Sequence, residues 1–217
     1  MRRFVQWLVA GYLFAGASIQ ARAQATINGT VQLLKPGAAA VSSARYQNKN
    51  IPVVAPAPWP AVIYLEGSFP ALDTNAAPTI QMSQKNLQFT PSVLPVRKGT
   101  LIEFPNQDDE YHNVLSYSKA KSFDVGRYRK DEKTPAVKFD KVGAVDLNCE
   151  IHEHMSAIIL VLDTPYFTTS DTNGVYQLRN LPAGKYTLKA WLNTKTTRSQ
   201  PVELKDGQTL EVNFPAP

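Results

Sequence analysis

The chain has 217 residues, with 23 Lys and Arg against 18 Asp and Glu, and a formal net charge of +5 at pH 7. Its basic residues form no stripe interleaved with aromatics, and the cluster Arg127-Tyr128-Arg129-Lys130 is followed at once by Asp131-Glu132-Lys133, so no nucleic-acid partner is expected. One cysteine and three histidines exclude an internal disulfide framework and leave little for a site needing many imidazoles.

Residues 1–23 read as a secretory signal. Arg2 and Arg3 precede an apolar stretch over 4–19, broken by Gln6, Gly11 and Gly16, and Ala21-Arg22-Ala23 has the A-x-A cleavage form. The stretch falls short of the ~20 apolar residues that span a bilayer. The expectation is cleavage after Ala23, a periplasmic or secreted product, and no stable membrane span. Removal takes Arg2, Arg3 and Arg22 but no acidic residue, so 20 basic residues remain against 18 acidic ones, a net of about +2. About 194 residues remain, enough for one large domain or two of ~100.

Beyond the signal the chain reads as all-β. Residues 26–33 form the first expected strand, closed by Lys35-Pro36-Gly37. Residues 38–60 are rich in Pro and Ala, without a period, and 61–65 form a second strand. The polar, Pro-containing stretch 68–78 is a connector and a domain boundary. Alternation resumes at 80–84 and 87–89. Leu94 and Val96 precede the turn Lys98-Gly99-Thr100, and 101–105 follow. His112 opens a strand over 112–116, and 122–133 is charged and expected to be irregular. Residues 136–140 and 144–147 alternate. The apolar run 157–162 is short and β-branched, which favours a buried strand over a helix. After Pro165, Asn173-Gly174, Ala183-Gly184 and Asp206-Gly207 separate alternating runs, and the Asn-Gly and Asp-Gly pairs read as hairpin-type turns.

The strands after Pro165 are too few for a full sandwich, and two more lie before residue 66. The expected organisation joins 24–75 with 164–217 and inserts 76–163 between them, with a tandem arrangement as the alternative.

The chemistry concentrates in Cys149-Glu150-Ile151-His152-Glu153-His154-Met155, which contains C-x-x-H-x-x-M. A thiolate, imidazoles and a thioether are the donors that suit copper in a trigonal site with a weak axial ligand. Three donors within seven residues fit one loop curled around an ion, and a further one must come from a neighbouring segment, where His112 stands. Zinc is the rival ion, since His112, Cys149, His152 and His154 could make a tetrahedral set. The residues leave Met155 and His154 both open as the fourth donor. Asp108, Asp109, Glu110, Glu150 and Glu153 read as a solvated rim, or as an acidic docking surface for a basic partner. No G-x-S-x-G, H-E-x-x-H or phosphate-cradling Gly loop occurs, so no enzyme is expected.

Residues 79–163 resemble the cupredoxins, the plastocyanin-like blue copper proteins, through Phe104-Pro105-Asn106, His112-Asn113-Val114 and the Cys149–Met155 run. The resemblance implies a Greek-key sandwich with one type 1 copper held by His112, Cys149, His152 and the axial Met155, with Asn113 tying the His112 segment to the Cys149 loop. The runs Asp171-Thr172-Asn173-Gly174-Val175-Tyr176-Gln177-Leu178 and Leu181-Pro182-Ala183-Gly184-Lys185-Tyr186-Thr187-Leu188 resemble the carboxypeptidase regulatory-like, or transthyretin-like, family. Residues 27–31 and 61–65 resemble that family's first two strands. This second resemblance implies a prealbumin-like sandwich, a structural or binding role with glycan or protein contacts, and no catalytic residues.

Together these readings describe an exported carrier that shuttles one electron between Cu(I) and Cu(II), similar to methylamine utilisation-type periplasmic proteins. A redox partner protein, a cytochrome or a dehydrogenase, is expected. The alternative is a surface- or partner-binding sandwich, with carbohydrate as one candidate ligand, and a copper-storage or structural zinc site.

Overall fold

The computed structural model describes residues 24–34, 58–69 and 79–216. The expected signal and most of the 38–60 excursion and the 68–78 connector lie outside them. The described residues form seventeen strands and no helix, an all-β fold. Among them, no helix is long and apolar enough to cross a membrane.

Two strands precede residue 67: β1 (Ala25–Thr30) and β2 (Val62–Glu66). Ten occupy the middle of the chain: β3 (Thr79–Gln81), β4 (Ser83–Lys85), β5 (Gln88–Thr90), β6 (Val93–Arg97), β7 (Thr100–Glu103), β8 (His112–Tyr117), β9 (Ser122–Tyr128), β10 (Ala136–Phe139), β11 (Gly143–Asn148) and β12 (Ser156–Leu162). Five follow: β13 (Phe167–Thr169), β14 (Val175–Leu181), β15 (Gly184–Asn193), β16 (Thr196–Leu204) and β17 (Thr209–Glu211).

The first and last groups pair with each other, in sheets ordered β14-β1-β17 and β13-β2-β15-β16. Their inner faces share one core that includes Ile27, Ile63, Leu65, Leu178, Leu188 and Phe214. The middle group builds the sheets β10-β7-β3 and β6-β12-β11-β8-β9, with β4-β5 as a separate hairpin. A second core holds Met82, Phe104, Phe139, Leu147 and Ile159 between them.

β12 explains the run without alternation. Ala157, Ile159 and Val161 enter the second core, whereas Ile158, Leu160 and Leu162 cluster with Val62, Val93 and Trp191. A strand covered on both faces needs apolar residues at every position. Pro95 fits β6 because that strand is an edge, bonded only to β12.

Two expectations fail here. Residues 122–128, expected to be irregular, form β9 on the open edge of the five-stranded sheet. Its pairing with β8 shifts register between Asn113 and Leu115, where three steps on β9 match two on β8. Gly126, at φ +75°, supplies the left-handed residue such a bulge favours. The extra residue breaks the period, so Phe123 and Val125 pack inward in one phase and Tyr128 in the other.

The turns at Gly174, Gly184 and Gly207 are not hairpins. Each carries the chain from one sheet to the facing one: β13 to β14, β14 to β15, and β16 to β17. Positive φ reverses the chain, but it does not choose which sheet receives it. The hairpin lies at β15–β16, where Asn193 pairs with Thr196 across Thr194-Lys195. No glycine marks it; instead Asn193 Oδ1 accepts the Lys195 N–H at 2.8 Å, an Asx turn.

Candidate metal centre

Antiparallel pairing assembles the site. β11 runs into Cys149, the loop 149–155 turns back, and β12 leaves after Met155, with Asn148 opposite Ser156. Within the loop the Met155 N–H donates to the His152 carbonyl at 2.9 Å and the Cys149 N–H to the Met155 carbonyl at 3.3 Å. β8 lies beside β11, with Leu115 opposite Asn148, which brings His112 alongside the loop. Asn113 closes the junction, its Oδ1 accepting the Glu150 N–H at 3.1 Å. Its Nδ2 donates to Asp124 Oδ1 on β9 at 2.7 Å.

Three of the four expected ligands converge. The ligand atoms of His112, Cys149 and His152 all lie within 4.8 Å of one another. His112 Nδ1 and His152 Nδ1 are 3.1 Å apart, and Cys149 Sγ is 3.8 Å from His152 Nδ1. His112 is fully buried, Cys149 is 4% exposed, and His152 is half-buried at the protein surface. Met155 is buried in the same core as Cys149. His154 is exposed and stands outside the trio, its ring 6.2 Å from that of His152.

Burial holds the His152 imidazole below its ordinary pKa, and the neighbouring His112 and His154 rings lower it further, against the opposing pull of Glu110 and Asp108. Protonation would set a cation in a half-buried position between two other imidazoles.

The sequence reading grouped Asp108 with a solvated rim or docking surface, but this residue faces inward. Its side chain is 10% exposed and its Oδ2 lies 2.9 Å from His112 Nε2. Burial alone would raise its pKa. The N–H groups of Leu87, the His112 ring and Asn86 outweigh burial and hold the carboxyl below the ordinary range. Of the other acidic residues, Asp109 pairs with Lys130 and Glu150 with Arg127. Local spacing does not mark Asp108: it sits in a bend, its inward turn is fixed by the β4–β5 turn, and the acidic triplet of Asp108, Asp109 and Glu110 looks uniform in sequence.

The core side of the site holds a polar group that the sequence reading did not single out. The Tyr128 hydroxyl donates to the Phe104 carbonyl at 2.6 Å and accepts from Gln84 Nε2. Burial raises the Tyr128 pKa; the Gln84 bond opposes that rise and the nearby Cys149 adds to it.

The fold and the cluster define an all-β protein whose His–Cys–His group is compatible with copper. Residues 156–216 match the family model described as Carboxypeptidase regulatory-like domain, a range that spans β12 to β17. The chain is similar to a purple cupredoxin from Nitrosopumilus maritimus at 18% identity, covering 38% of this chain and 99% of that one, with a TM-score of 0.34. It is also similar to amicyanin from Paracoccus versutus at 18% identity, covering 46% of this chain and 97% of that one, with a TM-score of 0.36. No curated protein matches the chain.

Proposed function

We propose that the protein is an exported, periplasmic or secreted carrier of one electron, in which His112, Cys149, His152 and Met155 are the residues that would hold a type 1 copper. The convergence of one thiol and two imidazole nitrogens within 4.8 Å carries this reading. A thiolate with two imidazoles is the donor set copper prefers in trigonal sites, and a thioether is its usual weak fourth partner. Copper would supply the one-electron couple. The chain's own part is to hold the donors on paired strands, keep water from Cys149 and His112, and leave an edge of His152 near solvent.

Zinc fits less well. Among the described residues, no fourth His, Cys, Asp or Glu joins the trio, whereas a structural zinc site closes with four such donors. Met155, buried beside Cys149, favours the softer ion.

A redox partner protein, a cytochrome or a dehydrogenase, belongs to the proposal. So does a nested arrangement in which 76–163 is the copper module and 24–75 with 164–217 form a sandwich that contacts a glycan or protein. The pairing of β1 and β2 with the strands after residue 166 supports the nesting.

The test is a visible spectrum of the mature protein during addition of Cu(II). An intense thiolate-to-copper band that disappears in Cys149→Ser is the expected result. A colourless protein that takes up Zn(II) in preference would overturn the copper reading.

A further inference from the structure

The contacts of Asp108 reach well beyond His112. Asp108 Oδ2 lies 2.9 Å from His112 Nε2 and accepts the Leu87 N–H at 3.0 Å, while Oδ1 accepts the Asn86 N–H at 2.7 Å. Asn86 and Leu87 form the turn between β4 and β5, and both have positive φ, 53° and 57°. Left-handed backbone at two consecutive non-glycine residues is costly, and leucine carries the larger penalty. That conformation aims two adjacent N–H groups at a single carboxylate.

The segment bearing Asp108 is itself fixed. Asn106 Oδ1 accepts the Asp108 N–H at 2.9 Å, and Asn106 Nδ2 donates to the carbonyls of Glu110 at 2.9 Å and Tyr128 at 3.0 Å. Three donors thus converge on Asp108: two backbone N–H groups that cannot change role, and one imidazole nitrogen that can.

We propose that Asp108 is a positioning residue for His112: it holds the imidazole with the proton on Nε2, leaving the Nδ1 lone pair turned toward Cys149 and His152, and it anchors that orientation to the β4–β5 turn. An ionised carboxylate only accepts hydrogen bonds, so the facing ring nitrogen must carry the proton. A neutral imidazole protonated at Nε2 offers its lone pair at Nδ1, the nitrogen 3.1 Å from His152 Nδ1. In the metal-free protein a proton between the two Nδ1 atoms would then sit on His152, and metal binding would require that proton to move to His152 Nε2 and the Cys149 thiol to release its own.

The metal-facing half rests on the copper reading; the tautomer does not. A carboxylate behind a ligating imidazole raises its basicity, and loss of such a partner typically costs ~10–100-fold in metal affinity. The greater charge of Cu(II) makes it the more sensitive to ligand basicity. If Asp108→Asn weakens Cu(II) tenfold more than Cu(I), the potential rises by about 59 mV.

The decisive experiment is 15N NMR of the imidazoles in the full mature chain without metal, comparing the parent protein, Asp108→Asn and Asp109→Asn. In the parent, His112 should show a slowly exchanging Nε2–H and an unprotonated Nδ1. Asp108→Asn should mix the tautomers or speed exchange; Asp109→Asn, on the exposed residue paired with Lys130, should change neither. A parent His112 protonated at Nδ1 would overturn the proposal even if the Asp108 variant fails to fold. So would an Asp108→Asn spectrum identical to the parent's.

Copper titration with potentiometry of the same three proteins then separates the two readings. Failure of the parent to develop a thiolate band, with the Nε2–H tautomer present, would support the positioning role and overturn the electron carrier. A normal band together with an unchanged potential and affinity in Asp108→Asn would overturn the positioning role and leave the carrier intact.

Discussion

His112 Nδ1 and His152 Nδ1 lie 3.1 Å apart, although forty positions separate the two residues along the chain. Two N–H groups opposed at this distance would clash, so at most one of these nitrogens carries a proton. The depressed pKa of His152, caused first by burial and then by His112 and His154, expresses the same conflict. Below the ordinary imidazole value the unfolded chain binds a proton that the folded chain refuses, so stability rises with pH across that window and falls on acidification through it. The urea midpoint of the metal-free protein should therefore drop as pH falls from about 7 to about 5, with a flatter profile in His152→Asn. A midpoint that is level or rising toward acid would refute the assignment.

Asn113, on β8, ties β9 and the ligand loop together through one buried amide. It accepts from the Glu150 N–H and donates to Asp124, whose Oδ1 also accepts the Gly126 N–H at 2.9 Å. Asn113→Ala removes both side-chain bonds and leaves the loop N–H without its partner, which should cost about 1–3 kcal/mol. Copper affinity should fall ~10–100-fold, since the loop carrying Cys149 and His152 loses its tie to His112. Urea unfolding and a copper competition titration check the two numbers. A change below about 0.5 kcal/mol would mean that water replaces the amide at no cost.

The ligand loop was legible because its chemistry is local: Cys149, His152 and Met155 lie within seven residues, and spacing alone puts them on one turn. The β class was legible for the same reason, since period-two alternation is a local signal. What failed was non-local. The identity of the glycine turns depended on which sheet received the next strand, and nothing within Asp171–Gly174 encodes that. β9 stayed hidden because the bulge at Gly126 interrupts its alternation. Asp108 was missed because its role follows from the β4–β5 turn, about twenty residues earlier in the chain, which aims Asn86 and Leu87 at it.

β12 turns one face into the second core and the other into the cluster with Val62, Val93 and Trp191, which joins the middle strands to the outer ones and should behave as one unit. Trp191, on β15, is 6% exposed and lies in the same cluster as Ile158, Leu160 and Leu162. Trp191→Ala should cost about 3–5 kcal/mol and Leu160→Ala about 2–5 kcal/mol. Residues in one cluster do not add, so the double variant should depart from the sum by about 0.5–3 kcal/mol. Denaturation followed both at the metal site and by far-UV signal should also lose coincidence in Trp191→Ala, as the two cores begin to unfold separately. Strict additivity with coincident transitions would show that the cluster transmits nothing.

Two glycines of the same backbone type should respond differently to the same methyl group. Gly126 has φ +75° and Gly174 has φ +83°, so alanine is strained at either. A Cβ at Gly126 meets nothing within 4 Å, whereas at Gly174 it would sit 2.0 Å from the Val31 carbonyl oxygen. That carbonyl belongs to backbone held on both sides: the Val31 N–H donates to the Gly174 carbonyl at 2.8 Å, and Val31 bridges to Phe214. Relief therefore requires moving the end of β1 rather than rotating a side chain. Gly126→Ala should cost about 1–2 kcal/mol, the left-handed penalty alone. Gly174→Ala should exceed that by at least about 2 kcal/mol, as overpacking against a fixed backbone is added. Thermal or urea unfolding of the two variants decides the matter, and equal losses would show that β1 yields freely. Gly174 packs against Val31 of the first core, whereas Cys149 lies in the second, so its variant, while folded, should bind copper with the parent's spectrum.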